Sequence, residues 1–266
     1  MDTRPIGIFD SGLGGLTALR ALQKELPHEN IVYFADTARM TYGPRPAEEL
    51  RRMARQDLDF VASKGVKAIL AACGTVSSTA PDVLEGYEIR TFNVISATVR
   101  EAAKHAEKPI GVIATAASIR SGGFQKALET LCPGTEIVPV ACPAFVPLIE
   151  SGSYDANNAE LCAAVAEYLA PIRARGAGSL ILGCTHYGLI EQAIRNELGE
   201  GVLIIGAADC AAHELALWLR ENQLCGAAGE ERFFTSGSAE EFTAHASLFL
   251  GHKPRTAVCH VPAMEV

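Results

Sequence analysis

The sequence predicts an α/β protein: two similar α/β domains with mostly parallel sheets, related by pseudo-symmetry, with an active site in the interdomain cleft. Three observations lead there. Short apolar runs alternate with amphipathic stretches along the chain, the pattern of strands joined by helical crossovers. The run Ile6-Gly7-Ile8-Phe9 has a counterpart in Ile110-Gly111-Val112-Ile113, 104 positions later. Two more runs, Ala68-Ile69-Leu70-Ala71-Ala72-Cys73 and Leu180-Ile181-Leu182-Gly183-Cys184, each stop at a cysteine, and those cysteines lie 111 positions apart. Near-equal offsets imply a duplicated half with one thiol in each copy.

In chain order, the first strand, about 6–9, is followed by Leu16, Leu19, Leu22 and Leu26 at the three- and four-residue steps of a buried helix face. The second strand, 31–34, runs into a polar loop at 36–44, where Gly43 and Pro44 are turn formers. Strands at 67–72 and 90–94 complete the first unit. The second has strands at 110–114 and 136–140, a crossover helix marked by Leu161, Val165 and Leu169, and strands at 179–183 and 202–206. A boundary near 93–98 and a return near 207–209 divide the chain into one domain of 1–95 plus 208–266 and a second of 96–207. No low-complexity linker interrupts it.

Composition narrows the function classes. Apolar residues make up 48% of the 266 and charged residues 20%, as in an ordinary packed protein. The net charge of −8, without a Lys/Arg cluster, offers nothing to nucleic acid or an anionic membrane. No apolar run approaches the roughly 18 residues that span a bilayer. The eight cysteines are not needed as disulfides in a chain this large. The N-terminus lacks the apolar segment and cleavage site of a signal peptide. A reducing cytoplasm with free thiols is the expectation.

Four segments could carry chemistry. Asp10-Ser11-Gly12-Leu13-Gly14-Gly15 follows the first strand and opens the first helix; a dinucleotide fingerprint fails there, because its third glycine would fall at Thr17. Cys73 and Cys184 each end a strand before a turn into a helix, an environment that lowers a thiol pKa. Only about 3% of an unshifted thiol is ionised at pH 7, so helpers are needed, and Asp10 and His186 are the candidates. Cys184-Thr185-His186 could be a metal fragment, a nucleophile with its base or a polar turn. Zinc spacing is absent, and a Cys–His hydrolase would leave Cys73 unexplained. Tyr42 and Gly43 would lie at the same sheet edge as Asp10 and Cys73, supplying a hydroxyl and an N–H.

These residues resemble the cofactor-independent glutamate racemases of the aspartate/glutamate racemase superfamily nearly end to end. The likeness rests on residues 7–16, Asp36-Thr37-Ala38-Arg39 with Tyr42-Gly43, Ala72-Cys73 with Thr75, Cys142-Pro143 with Phe145-Val146-Pro147-Leu148 and Glu150, residues 183–187, and a closing segment from Phe233 to Gly251. The resemblance implies that Cys73 and Cys184 exchange the α-proton of glutamate from opposite faces, without cofactor or metal. Asp10, and His186 with Glu150, would tune or relay protons. Asp10, Ser11, Tyr42, Gly43, Gly74, Thr75, Ser118, Thr185 and His186 would hold the substrate. It further implies a cytoplasmic homodimer supplying D-glutamate for peptidoglycan, cell wall and cell shape.

Three positions depart from the family pattern. Gly74 replaces the usual Asn, and Gly188 and Thr41 each replace Pro. Gly74 keeps open a racemase of aspartate or another acidic amino acid. A catalytically weak glutamate-binding protein is the alternative from another class.

Overall fold

The computed structural model describes residues 2–226 and 228–262. Among the described residues ten strands build two sheets: β1 (Ile6–Asp10), β2 (Ile31–Ala35), β3 (Ala68–Ala71), β4 (Thr91–Asn93), β5 (Ile110–Ala114), β6 (Ile137–Ala141), β7 (Ser179–Leu182), β8 (Leu203–Gly206), β9 (Glu231–Thr235) and β10 (Val258–His260). The first sheet has the order β10-β9-β2-β1-β3-β4 and the second β6-β5-β7-β8. Every strand pair is parallel. Thus β2-β1-β3-β4 recurs as β6-β5-β7-β8, and the two cysteine-bearing strands, β3 and β7, hold equivalent places.

Burial explains why the strands read as apolar runs. β1, β2, β3, β5 and β7 are buried at every position, as strands covered by helices on both faces must be. The helix Leu16–Glu25 turns Leu16, Ala18, Leu19 and Leu22 inward, matching its leucine spacing. Gly7 and Gly111 show the duplication in packing terms. A Cβ on Gly7 would stand 2.1 Å from Val61, and one on Gly111 2.9 Å from Ile172. In each unit a long helix, Ala47–Ala62 or Ala159–Ala174, presses onto the first strand where no side chain intervenes.

One apolar cluster continues from Ile8 and Leu70 beside the first sheet to Ile113, Leu180 and Leu182 in the second. Helices Val94–Ala103 and Ala207–Glu221 pack on each other between the sheets. β9 and β10 lie outside the strand pattern read from sequence. Glu231 and Arg232 interrupt the apolar run of β9, and β10 is a short edge strand. Among the described residues no helix is long and apolar enough to cross a membrane.

Candidate active site

Ligands of open parallel sheets bind beyond the carboxyl ends of the strands, and there the chain places its reactive groups. Asp10 is the last residue of β1. Cys73 follows β3 and precedes the short helix Gly74–Thr79; Cys184 follows β7 and precedes the 3-10 turn Thr185–Ile190. Both cysteines line one cavity of about 60 Å³, together with Asp10, Ser11, residues 40–43, Gly74, Thr75, Thr115, Glu150, Thr185 and His186. Among the described residues no Lys or Arg lines this cavity. A carboxylate there meets hydroxyls, backbone N–H groups and the His186 ring.

On the first wall Cys73 is 5% exposed, and its Sγ lies 3.5 Å from Ser11 Oγ. Burial pushes its thiol up to about 12, and the Asp10 charge adds to the rise, outweighing bonds to Ser11 and the Val76 N–H. The expectation that a helix N-terminus would lower this thiol is therefore corrected: six residues of helix do not offset near-complete desolvation. Burial also raises the Asp10 carboxyl, while the His186 charge and the N–H groups of Gly15, Gly12 and Ser11 pull it back. Gly12 N donates to Asp10 Oδ2 at 3.0 Å.

The second wall is a chain of contacts. Cys184 Sγ stands 3.8 Å from His186 Nδ1, and His186 Nε2 stands 3.1 Å from Glu150 Oε1. Phe249, at the end of the helix Ala239–Leu250, meets the imidazole edge to face at 5.4 Å. Burial pulls the imidazole down, but its bonds to Cys184 and Glu150 prevail and push His186 up to about 10. Its surroundings thus favour the protonated ring. Gly14 fixes the ring's place from the opposite unit: a Cβ there would lie 2.3 Å from His186 Nδ1 and 2.6 Å from Thr185 Oγ1.

Gly74 brings the walls together in the same manner. Its Cβ would fall 2.5 Å from the carbonyl oxygen of Gly183, so the turns that carry the two thiols touch backbone to backbone.

Two expected substrate contacts sit differently. Tyr42 lines the cavity, but its hydroxyl turns away into Asp36 and Asp57. Ser118 is fully buried behind Thr115, with 3.0 Å between their hydroxyls. Thr115, which does line the cavity, went unread although a signal existed, because the 104-residue offset between the two units maps Ser11 onto it. Val146, inside a segment that carries the family resemblance, and Met40, in the loop after β2, also line the cavity, though neither is among the expected substrate contacts.

Known proteins resemble this chain in sequence and fold. The Asp/Glu/Hydantoin racemase family matches residues 17–215. A protein named glutamate racemase 2 from Caldanaerobacter subterraneus subsp. tengcongensis is 39% identical over 257 residues, covering 95% of this chain and 96% of that one. A glutamate racemase isoform from Bacillus anthracis superposes with a TM-score of 0.91 at 35% identity over 98% of both chains. The Francisella tularensis glutamate racemase, solved with D-glutamate, gives 0.91 at 33% identity over 99% of both. By sequence and by structure, the chain belongs to the Asp/Glu/hydantoin racemase family, alongside the glutamate racemases.

Proposed function

We propose that the chain interconverts L- and D-glutamate by proton transfer at the α-carbon between Cys73 and Cys184, without a cofactor. The observation that carries this is the placement of two thiols at equivalent strand ends of a duplicated fold, on the two walls of one cavity. A single-thiol hydrolase would leave one of them idle.

In the reaction one cysteine enters as thiolate and takes the α-hydrogen as a proton. The C–H electron pair moves into the substrate carboxylate. The other thiol then gives its proton to the opposite face of the α-carbon and is left as thiolate. Cys73, with its raised value, rests as the thiol. The reverse direction exchanges the roles, and Asp10 on one wall and His186 with Glu150 on the other relay the protons that reset the pair. The doubly charged carboxylate of the intermediate demands preorganised donors, and a small dry cavity strengthens them. Ser11, Thr75, Thr115, Thr185 and the N–H groups of Tyr42, Gly43 and Gly74 would serve as these donors, with Ser118 supporting Thr115.

Gly74 favours a second reading, aspartate or another acidic amino acid as substrate, since it withdraws the side-chain amide that the family pattern places beside Cys73. Loss of optical rotation from L-glutamate and from L-aspartate, measured side by side, decides between them. An unchanged rotation with both would remove the racemase reading. We infer from the family resemblance that the enzyme is a cytoplasmic homodimer that supplies D-glutamate for peptidoglycan and so for cell shape. The duplicated topology supports the division into 1–95 plus 208–266 and 96–207.

A further inference from the structure

The loop after β2 carries a buried polar cluster that no step of the proposed reaction uses. Asp36 and Asp57 are fully buried, Tyr42 is 2% exposed and Arg39 6%. Arg39 Nε donates to Asp36 Oδ2 at 2.6 Å, and its Nη2 donates to Asp57 Oδ1 at 2.8 Å. Ser236 Oγ donates to Asp36 Oδ1 at 2.7 Å. The Tyr42 hydroxyl touches both acids, Asp36 Oδ2 and, at 2.9 Å, Asp57 Oδ2.

Counting hydrogens gives the first constraint. A phenol carries one, so it can donate to only one of two carboxylates. With both acids ionised, the second contact would set a phenol lone pair against a carboxylate oxygen at bonding distance. Charge gives the second constraint. Two carboxylates against one guanidinium leave a net negative charge where water cannot reach, and unpaired buried charge is strongly disfavoured. One retained proton answers both. Asp36 accepts from Arg39 Nε, Ser236 and Tyr42, all of which favour its ionised form. Asp57 faces a single cationic donor and the phenol oxygen.

We propose that Asp57 is a neutral carboxylic acid in the folded protein, donating through Tyr42 to Asp36, and that this relay positions the cavity-lining residues 40–43 for substrate. Asp57 and Arg39 are then positioning residues. They join the helix Ala47–Ala62 to a loop whose other side is tied through Ser236 to the segment after β9. Burial first, then the Asp36 and Asp10 charges, drive the Asp57 carboxyl well above the ordinary carboxylate range, with Arg39 and Tyr42 opposing. The role in substrate binding rests on the proposed racemase reading; the place of the proton does not.

The test uses two variants of the full chain and two readouts. Asp57→Asn keeps a neutral donor toward Tyr42, and should hold KM for glutamate within about twofold. Asp57→Ala removes it, and should raise KM about tenfold or more with a smaller change in kcat. The second readout is urea stability against pH, which needs no catalysis. An acid that stays protonated when folded but ionises near 3.8 when unfolded loses stabilising power as pH rises above that value. Wild type should therefore lose stability relative to Asp57→Asn between pH 4 and pH 7. Parallel stability curves, or an Asp57→Asn KM as high as that of Asp57→Ala, would overturn the proposal. Failure of wild type to racemise glutamate would overturn the function reading instead, with the stability comparison still deciding where the proton lies.

Discussion

Adding one methyl group at Gly74 should separate the two thiols. The new Cβ would stand 2.5 Å from Gly183 O, and ordinary contact begins at 3.4 Å, so about 0.9 Å must be found. Gly183 has nowhere to retreat. Its own Cα is hemmed in by Ile113 O and the Phe124 ring, both 2.9 Å from where a Cβ would be, and its N–H is bonded to Ile113 O at 2.8 Å. Relief must come from parting the turns that hold Cys73 and Cys184. Overfilling a packed site costs about 1–3 kcal/mol, and a displacement near 1 Å at reacting groups costs about 10²-fold in rate. Gly74→Ala should accordingly lower kcat/KM by about 10- to 100-fold and lower Tm by a few degrees. Polarimetric racemisation and thermal unfolding of purified protein read both numbers. Gly201→Ala, where nothing lies within 4 Å, is the control. Wild-type kcat/KM and Tm in Gly74→Ala would refute the claim that this contact sets the thiol separation.

Three further outcomes are expected. Cys73→Ala and Cys184→Ala should each remove at least the 10²- to 10⁴-fold that an acid/base group contributes, whereas Cys132→Ala, a buried thiol bonded to Leu128 O within its own helix turn, should leave racemisation in place. Gly14→Ala should displace the His186 ring, whose Nδ1 and Cε1 lie 2.3 and 2.5 Å from the added carbon; kcat should fall about 10-fold or more, and an unchanged kcat would remove Gly14 from the positioning of His186. The fold favours the protonated His186, so its stabilising effect is complete below the free imidazole value of 6.5 and fades as pH climbs to about 10. Urea midpoints of wild type should fall toward those of His186→Asn across that window; parallel curves would show that the ring is not charged by its surroundings.

How much of this the sequence disclosed follows from which signals are local. Asp10, Cys73 and Cys184 were legible because buried parallel strands are continuous apolar runs and their carboxyl ends face the cleft. The repeat then paired the two thiols. His186 was legible two positions after Cys184, Glu150 came from resemblance, and their 3.1 Å contact joins residues 36 positions apart. Side-chain direction was not legible. Tyr42 reads as a free hydroxyl until Asp57, on the next helix, draws it inward. Ser118 and Thr115 exchange places because the cap of the helix Ala116–Ser121 puts Thr115 forward. Nor does a helix-terminus rule report the depth of burial that raises Cys73. β9 escaped because Glu231 is buried by pairing with Gln23 across 208 positions, a partnership invisible to hydrophobic pattern.

The central claim is that two thiols act from opposite faces of one carbon, and isotope placement at low conversion tests it most directly. Starting from either enantiomer of glutamate in deuterated water, the product enantiomer should carry α-deuterium while the recovered substrate stays unlabelled, since the base that removes the proton is not the acid that returns one. Deuterium appearing equally in recovered substrate, or product that keeps the original α-hydrogen, would contradict the two-thiol account.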